Sequence, residues 1–214
     1  MIDAVVFDLD GVIVDSEQVW DEVRAAYTRE RGARYTERAT RDMMGMSSPE
    51  WSRYMAEQLG VPGTPEQINA DVVQRMLERY GTAPPFISGA VDVVRAVAER
   101  WPVGIASSSN RELIDVVLRV SGLDELVHVA VSSEEVARGK PAPDVYLEAA
   151  RRLGVDPAAC AAVEDSQNGI RSAKAAAMRV FAIPNPHFPP DAAALADADV
   201  VLQRIGDLPA ALAA

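Results

Sequence analysis

Ala4-Val5-Val6-Phe7-Asp8-Leu9-Asp10-Gly11 places four apolar residues in a row ahead of two carboxylates one residue apart, and ends on glycine. Continuous apolarity in place of strict alternation suits a strand buried on both faces. Carboxylates at i and i+2 on an extended chain point to the same side, so Asp8 and Asp10 would stand together where the strand ends. Gly11 permits the sharp exit such an end needs. Two close anions repel unless a cation or a shared proton compensates them, so the pair suggests a divalent-ion site. Carboxylates at strand ends also cap helices, and the pair by itself does not choose between the two.

Similar short apolar runs recur outward from this segment: Val103 to Ala106, Val127 to Val131, Ala161 to Val163, Val180 to Ile183 and Val200 to Leu202. Helical spacing fills most of the gaps, as in Ala90-Val91-x-Val93-Val94-x-x-Val97, Leu113-Ile114-x-x-Val117-Leu118 and Val145-Tyr146-x-x-Ala149-Ala150-x-x-Leu153. Alternating strands and helices predict an α/β fold with a doubly wound, mainly parallel sheet. The alanine-rich end, Leu208 to Leu212, reads as a short docked helix.

Residues 17–84 break the alternation and read as an all-helical insert. Val19, Trp20, Val23 and Tyr27 make one apolar face, with Gly32 as the stop. A shorter helix is expected from about Thr36 to Met44, with Gly45 after it. Ser48-Pro49 reads as an N-cap with proline in the first turn, opening a helix that presents Trp51, Tyr54, Met55 and Leu59 and ends at Gly60. Thr64-Pro65-Glu66-Gln67 reads as a capping box, with Gly81 at the far end. The expected organisation is a Rossmann-like core from residues 1–16 and 85–214, with a helical cap of residues 17–84. The cap leaves and rejoins through adjacent connections that act as a hinge pair.

The chain has 214 residues, of which 49% are apolar and 25% charged, enough for one core with a smaller appended unit. Its 32 acidic against 21 basic residues give a net charge of −11, with no Lys/Arg block to neutralise a row of phosphates. Nucleic acid is therefore not an expected partner. No apolar stretch approaches the ~20 residues that span a bilayer, and Met1 to Phe7 lacks signal-peptide character. The single cysteine, Cys160, has no internal partner and reads as a small buried strand residue. The expected address is the cytoplasm, and the expected state a monomer or weak homodimer.

Three further loops follow apolar runs. Ser107-Ser108-Ser109-Asn110 sets hydroxyls and backbone N–H groups at a helix N-terminus, which suits phosphate oxygens and equally suits plain N-capping by Ser109 or Asn110. Lys140, in Gly139-Lys140-Pro141-Ala142-Pro143, has a stiffly held backbone, so its ammonium can be a positioned cation. Val163-Glu164-Asp165-Ser166-Gln167-Asn168-Gly169 ends a buried run in two carboxylates and opens a helix at Ser166. In open α/β sheets, ligands bind beyond the carboxyl ends of the strands. Four such loops offering carboxylates, hydroxyls, an ammonium and carboxylates converge on one site.

These four motifs, in this order across nearly the whole chain, resemble those of the haloacid dehalogenase superfamily, in its branch of small phosphatases and sugar-phosphate mutases of the β-phosphoglucomutase type. The resemblance implies a sheet order of 3-2-1-4-5, Asp8 as a nucleophile that takes the phosphoryl group, and Asp10 as general acid and base. It also implies Ser107 and Lys140 as phosphoryl-holding and charge-balancing groups. Mg2+ would be held by Asp8, the main-chain carbonyl of Asp10, and Asp165, with Glu164 in support. The substrate would be a small phosphorylated metabolite, with Ser108, Asn110, Trp20, Met46 and Ser47 as candidate binding residues, and Arg24 and Trp51 also in cap stretches that could face the site. Two departures are informative. Trp20 stands where those mutases place a histidine that helps a sugar hydroxyl attack, and Gly45-Met46-Ser47-Ser48 lacks their phosphate-holding arginine, so water is the expected acceptor and a phosphosugar mutase is the alternative. Ala177 stands where glycine commonly closes the helix after the fourth motif, at a small cost in stability.

Overall fold

The computed structural model describes residues 2–43, 46–185 and 189–214. Six parallel strands form one sheet: β1 (Ala4–Phe7), β2 (Val103–Ser107), β3 (Val127–Ser132), β4 (Cys160–Glu164), β5 (Arg179–Ala182) and β6 (Val200–Val201), in the order β3-β2-β1-β4-β5-β6. The 3-2-1-4-5 order holds, and a short sixth strand extends it. β1 lies at the centre, with Val5 opposite Val103 and Ala161, and Phe7 opposite Ile105 and Val163. β1, β2 and β4 are buried throughout, while the edge strand β3 is largely half-exposed, because it has a neighbour on one side alone.

Alternate residues of β1 face opposite layers. Val5 and Phe7 join a cluster with Val94 and Val97 of α5 (Ala90–Ala98), Ile114 and Val117 of α6 (Arg111–Ser121), and Leu208 and Leu212 of α10 (Leu208–Leu212). Ala4 and Val6 join another with Val145 and Ala149 of α7 (Asp144–Leu153), and Ile170 and Ala173 of α8 (Gln167–Ala175). Helices on both faces leave only the carboxyl edge of the sheet open for a ligand, and the turn in strand order between β1 and β4 opens a crevice there. A further helix, α9 (Ala192–Asp197), packs on α8.

The interval after β1 holds α1 (Glu17–Glu30), α2 (Glu37–Met43), α3 (Ser48–Glu57) and α4 (Pro65–Thr82). Two boundaries differ from the sequence reading, and a third falls partly outside the described residues. The cap of α3 is Ser47, not Ser48: its N–H and Oγ both donate to the Glu50 carboxylate, at 2.8 and 2.7 Å, a contact that draws on the acid at N3. Gly81 lies inside the last turn of α4, since Ala83, with its N–H on the Arg79 carbonyl, closes it. α2 is described to Met43; Met44 and Gly45 lie outside the described residues. Thr64 and Gln67 form the expected box, Gln67 N–H to Thr64 Oγ1 at 3.3 Å and Thr64 N–H to Gln67 Oε1 at 3.0 Å.

The two connections that flank these helices are bonded to each other. Asp15 N–H donates to the Pro85 carbonyl at 2.8 Å and Ile87 N–H to the Ile13 carbonyl at 2.9 Å. Val12, Ile13 and Val14, between strand and helix, are buried. No helix among the described residues is long and apolar enough to cross a membrane.

Candidate active site

The crevice is lined from the carboxyl ends of β1, β2 and β4 and from the loop before α7. Lys140 Nζ lies 3.0 Å from Asp8 Oδ1 and 2.6 Å from Glu164 Oε1. Carboxylate oxygens of Asp8, Glu164 and Asp165 all fall within 4.8 Å of one another. Glu164 is wholly buried. Its Oε1 accepts from Lys140 and, at 2.7 Å, from the Tyr146 hydroxyl, while its Oε2 accepts from the N–H groups of Asp165 and Ser166 and from Ser166 Oγ.

Asp10 diverges from Asp8. Its Oδ2 accepts from Ser109 Oγ at 2.7 Å and Ser107 Oγ at 3.1 Å, and its Oδ1 is buried with no hydrogen-bond partner among the described residues. The Asp8 carboxylate faces Glu164 and Asp165, whereas the Asp10 carboxylate, expected beside it, is held by two serines of the loop after β2. Ser109, whose loop suited phosphate oxygens or N-capping from the sequence, donates its hydroxyl to Asp10. Asn110 does start α6 but is engaged at both ends: Oδ1 accepts from Ser48 Oγ at 2.6 Å and Nδ2 donates to Glu134 Oε1 at 2.6 Å. It therefore ties the helical insert to the core, a different task from the substrate contact expected of it.

Two glycines make room for these acids. A methyl at Gly11, whose φ of +77° already favours glycine, would overlap the Asp165 carboxylate. A methyl at Gly169, in the first turn of α8, would overlap that of Glu164. Glycine in a helix is disfavoured by about 1 kcal/mol, and that oddity was the sequence signal for Gly169. Tyr146 carried no such signal, since it fits the apolar face of α7 like any core aromatic.

Burial is the dominant electrostatic fact. It pushes Asp8 up to about 8, against the pull of the Lys140 ammonium, with Glu164 and Asp10 adding to the rise. Asp165 is raised well above the carboxylate range, first by burial and then by Glu164 and Asp8. Burial also opposes the Lys140 charge, but Asp8 and Glu164 together hold the ammonium above its usual value. One cation thus stands against three buried acids, and the set is short of positive charge.

That deficit and the all-oxygen donor set, with oxygens all within 4.8 Å of one another, suit a bound metal ion that prefers oxygen ligands. Zinc or copper sites would draw on His or Cys, and the cluster contains neither.

A cavity of about 510 Å³ opens above these groups, lined by Asp8, Asp10, Lys140 and Asp165 and, from α2, by Arg41, which the sequence reading passed over. A smaller one of about 80 Å³ lies between insert and core, lined by Trp20, Arg24, Met43, Met46, Trp51 and Ser108 among others. Both reach Asp10, Glu17 and Ser108. Trp20, Met46 and Ser108 all line this smaller cavity, with the rings of Trp20 and Trp51 5.8 Å apart. Ser47 is occupied in capping α3.

Residues 2–177 match the family model for haloacid dehalogenase-like hydrolases. Hexitol phosphatase B of Escherichia coli K12 is 32% identical over 97% of this chain and 94% of that protein. The bifunctional riboflavin kinase/FMN phosphatase of Arabidopsis thaliana is 30% identical over 95% of this chain, which spans 54% of its length. Among solved structures, CbbY of Rhodobacter sphaeroides in complex with phosphate superposes with a TM-score of 0.87 at 24% identity, over 97% and 96% of the two chains, a likeness of fold. The chain belongs to the haloacid dehalogenase-like hydrolases, in their branch of β-phosphoglucomutase-like phosphatases. It is a phosphoric monoester hydrolase of that type.

Proposed function

We propose that this protein is a Mg2+-dependent phosphatase that hydrolyses a small phosphorylated metabolite, a sugar phosphate or similar, in the cytoplasm through an aspartyl-phosphate on Asp8. The observation that carries this reading is the buried set of Asp8, Lys140, Glu164 and Asp165 at the carboxyl ends of β1 and β4, short of one cation. Several similar proteins named as phosphatases of small phosphorylated compounds, including hexitol phosphatase B, support the substrate class.

In this mechanism a carboxylate oxygen of Asp8 attacks phosphorus as the ester bond breaks. Asp10 gives its proton from Oδ1 to the leaving oxygen, then takes one from the water that cleaves the aspartyl-phosphate. The serine hydroxyls on Oδ2 leave Oδ1 as the free edge for both transfers. Lys140 binds phosphoryl oxygens and steadies Asp8, and Ser107 joins it by turning its one hydroxyl proton from Asp10 Oδ2 to the bound phosphoryl group, which leaves Ser109 on that oxygen. Mg2+, held by Asp8, the Asp10 carbonyl and Asp165, would supply the missing positive charge that keeps Asp8 ionised and offsets the phosphoryl charge. The helical insert closes over the site as a lid, and its tryptophan-lined pocket admits a small leaving group.

Water is the acceptor. The Trp20 indole is a donor only and cannot deprotonate a sugar hydroxyl, which disfavours the phosphosugar mutase reading. Release of phosphate from an aryl phosphate with Mg2+ tests the proposal. Asp8→Asn should abolish turnover, a loss of at least ~10³-fold, and glucose 1-phosphate with a bisphosphate primer should give phosphate and no glucose 6-phosphate. Full activity in excess chelator, an active Asp8→Asn, or steady isomerisation refutes it.

A further inference from the structure

We infer that Tyr146 is a positioning residue for the metal-binding set: its hydroxyl fixes the Glu164 carboxylate against which Lys140 and Asp8 are placed. The inference rests on the phosphatase reading and adds to it a residue outside the four motifs.

The geometry is specific. Tyr146 is wholly buried on the face of α7 that packs on the sheet. Its ring lies beside the Lys140 ammonium, 5.0 Å from Nζ to the centroid, and its hydroxyl donates to Glu164 Oε1 at 2.7 Å. Burying a hydroxyl is unfavourable unless it is bonded, so packing alone would be served as well by phenylalanine. A function for the oxygen must come from Glu164.

Glu164 accepts five hydrogen bonds, two on Oε1 and three on Oε2. Three of these come from its sequence neighbours Asp165 and Ser166 and fix Oε2. Among the described residues Oε1 is held by Lys140 and Tyr146 alone, and Lys140 is itself shared with Asp8 at 3.0 Å. Without the tyrosine hydroxyl, carboxylate and ammonium can turn together, and the oxygens of Asp8, Glu164 and Asp165 lose their common spacing. Of those two donors, Tyr146 is the one not shared with Asp8. The Lys140 loop is also stapled to α8, through Ser172 Oγ on the Ala142 carbonyl at 2.6 Å, so this side of the site is built to hold one arrangement. Partners of this outer kind set ligand orientation, and their loss typically costs 10–100-fold in metal affinity or activity.

The test is calorimetric titration of the full chain with Mg2+ alone, comparing wild type with Tyr146→Phe, which keeps the ring and loses the hydroxyl. We expect the Mg2+ dissociation constant to rise about tenfold or more. Turnover of an aryl phosphate should fall most at low Mg2+ and recover in part at saturation. Val97→Ala, in α5 on the opposite face of the sheet, should lower the unfolding midpoint and leave the Mg2+ constant unchanged. Tyr146→Met, which fills the core with another shape and also lacks the hydroxyl, carries the same expectation should the phenylalanine variant not fold. An unchanged or tighter constant in the folded variant overturns the inference while an active wild type leaves the phosphatase reading intact. A wild type that neither binds Mg2+ nor needs it overturns both.

Discussion

The two walls of the catalytic crevice are built on opposite principles. The core wall is charged and saturated: Asp8, Lys140, Glu164, Asp165 and Tyr146 share short contacts inside a buried network, and two glycines are spent on clearance. The helical wall is apolar and adaptable, with Trp20, Trp51, Met43 and Met46 around a small pocket and a single buried cation, Arg24. Arg24 donates to the carbonyls of Trp20 and Met43 and sits 5.5 Å from the Trp20 ring. A saturated network tolerates almost no change, because each member satisfies several others. An apolar pocket can be reshaped by one side chain. On the proposed function, chemistry belongs to the first wall and choice of leaving group to the second.

The sharpest way to break this contrast is Gly169→Ala. A methyl there must displace the Glu164 carboxylate, so we expect a loss of activity of ~100-fold and of stability on the order of 2–3 kcal/mol, read by turnover and chemical unfolding. A variant with wild-type turnover would mean that the core wall is as forgiving as the other. Trp20→Phe probes the helical wall. Unfolding should change little, while the ratio of kcat/KM between a bulky and a small phosphate ester should shift toward the bulky one by ~10-fold. An unshifted ratio would remove Trp20 from the determinants of choice.

The pH dependence of stability separates the buried acids of the core wall from carboxylates on the surface. Asp8, at about 8, and Asp165 are raised above their unfolded values, so the native state binds more protons than the unfolded chain until pH passes the folded value. In chelator, stability should therefore fall as pH rises from about 5 to 8. The surface carboxylates Glu148 and Asp144 are lowered by arginine partners and have completed their ionisation below that window. Mg2+ should raise the unfolding midpoint, and by more at pH 8 than at pH 5. A flat profile in chelator would show that burial does not govern the Asp8 carboxyl.

The smallest effect expected lies away from both walls. Ala177, at φ +63°, closes α8 with its N–H on the Lys174 carbonyl and the following N–H, of Met178, on that of Ala173. A left-handed alanine is strained, so Ala177→Gly should stabilise by about 0.5–1 kcal/mol, near 2 °C in midpoint, with no change in turnover.

The sequence alone determined that six apolar runs form a parallel sheet, that the interval after the first is helical, and that the loops following four of the strands hold polar and charged residues. Each of these is written locally, in continuous apolarity, in three- and four-residue spacing, or in capping residues. Even the strain at Ala177 was legible, since one position at a helix end demands a left-handed backbone. Only the tertiary structure decided what those loops share. Asp8 and Asp10 read as one pair, but serines from β2 turn the Asp10 carboxylate away. Asn110 read as a substrate contact, but Ser48 and Glu134, 62 and 24 residues distant, take both ends of its amide. Tyr146 read as core, and its hydroxyl acquires a task only because α7, packed on β1, β2 and β3, brings it to Glu164 at the end of β4. Propensity is a property of neighbours along the chain, whereas a buried polar group takes its role from whichever partner the fold brings to it.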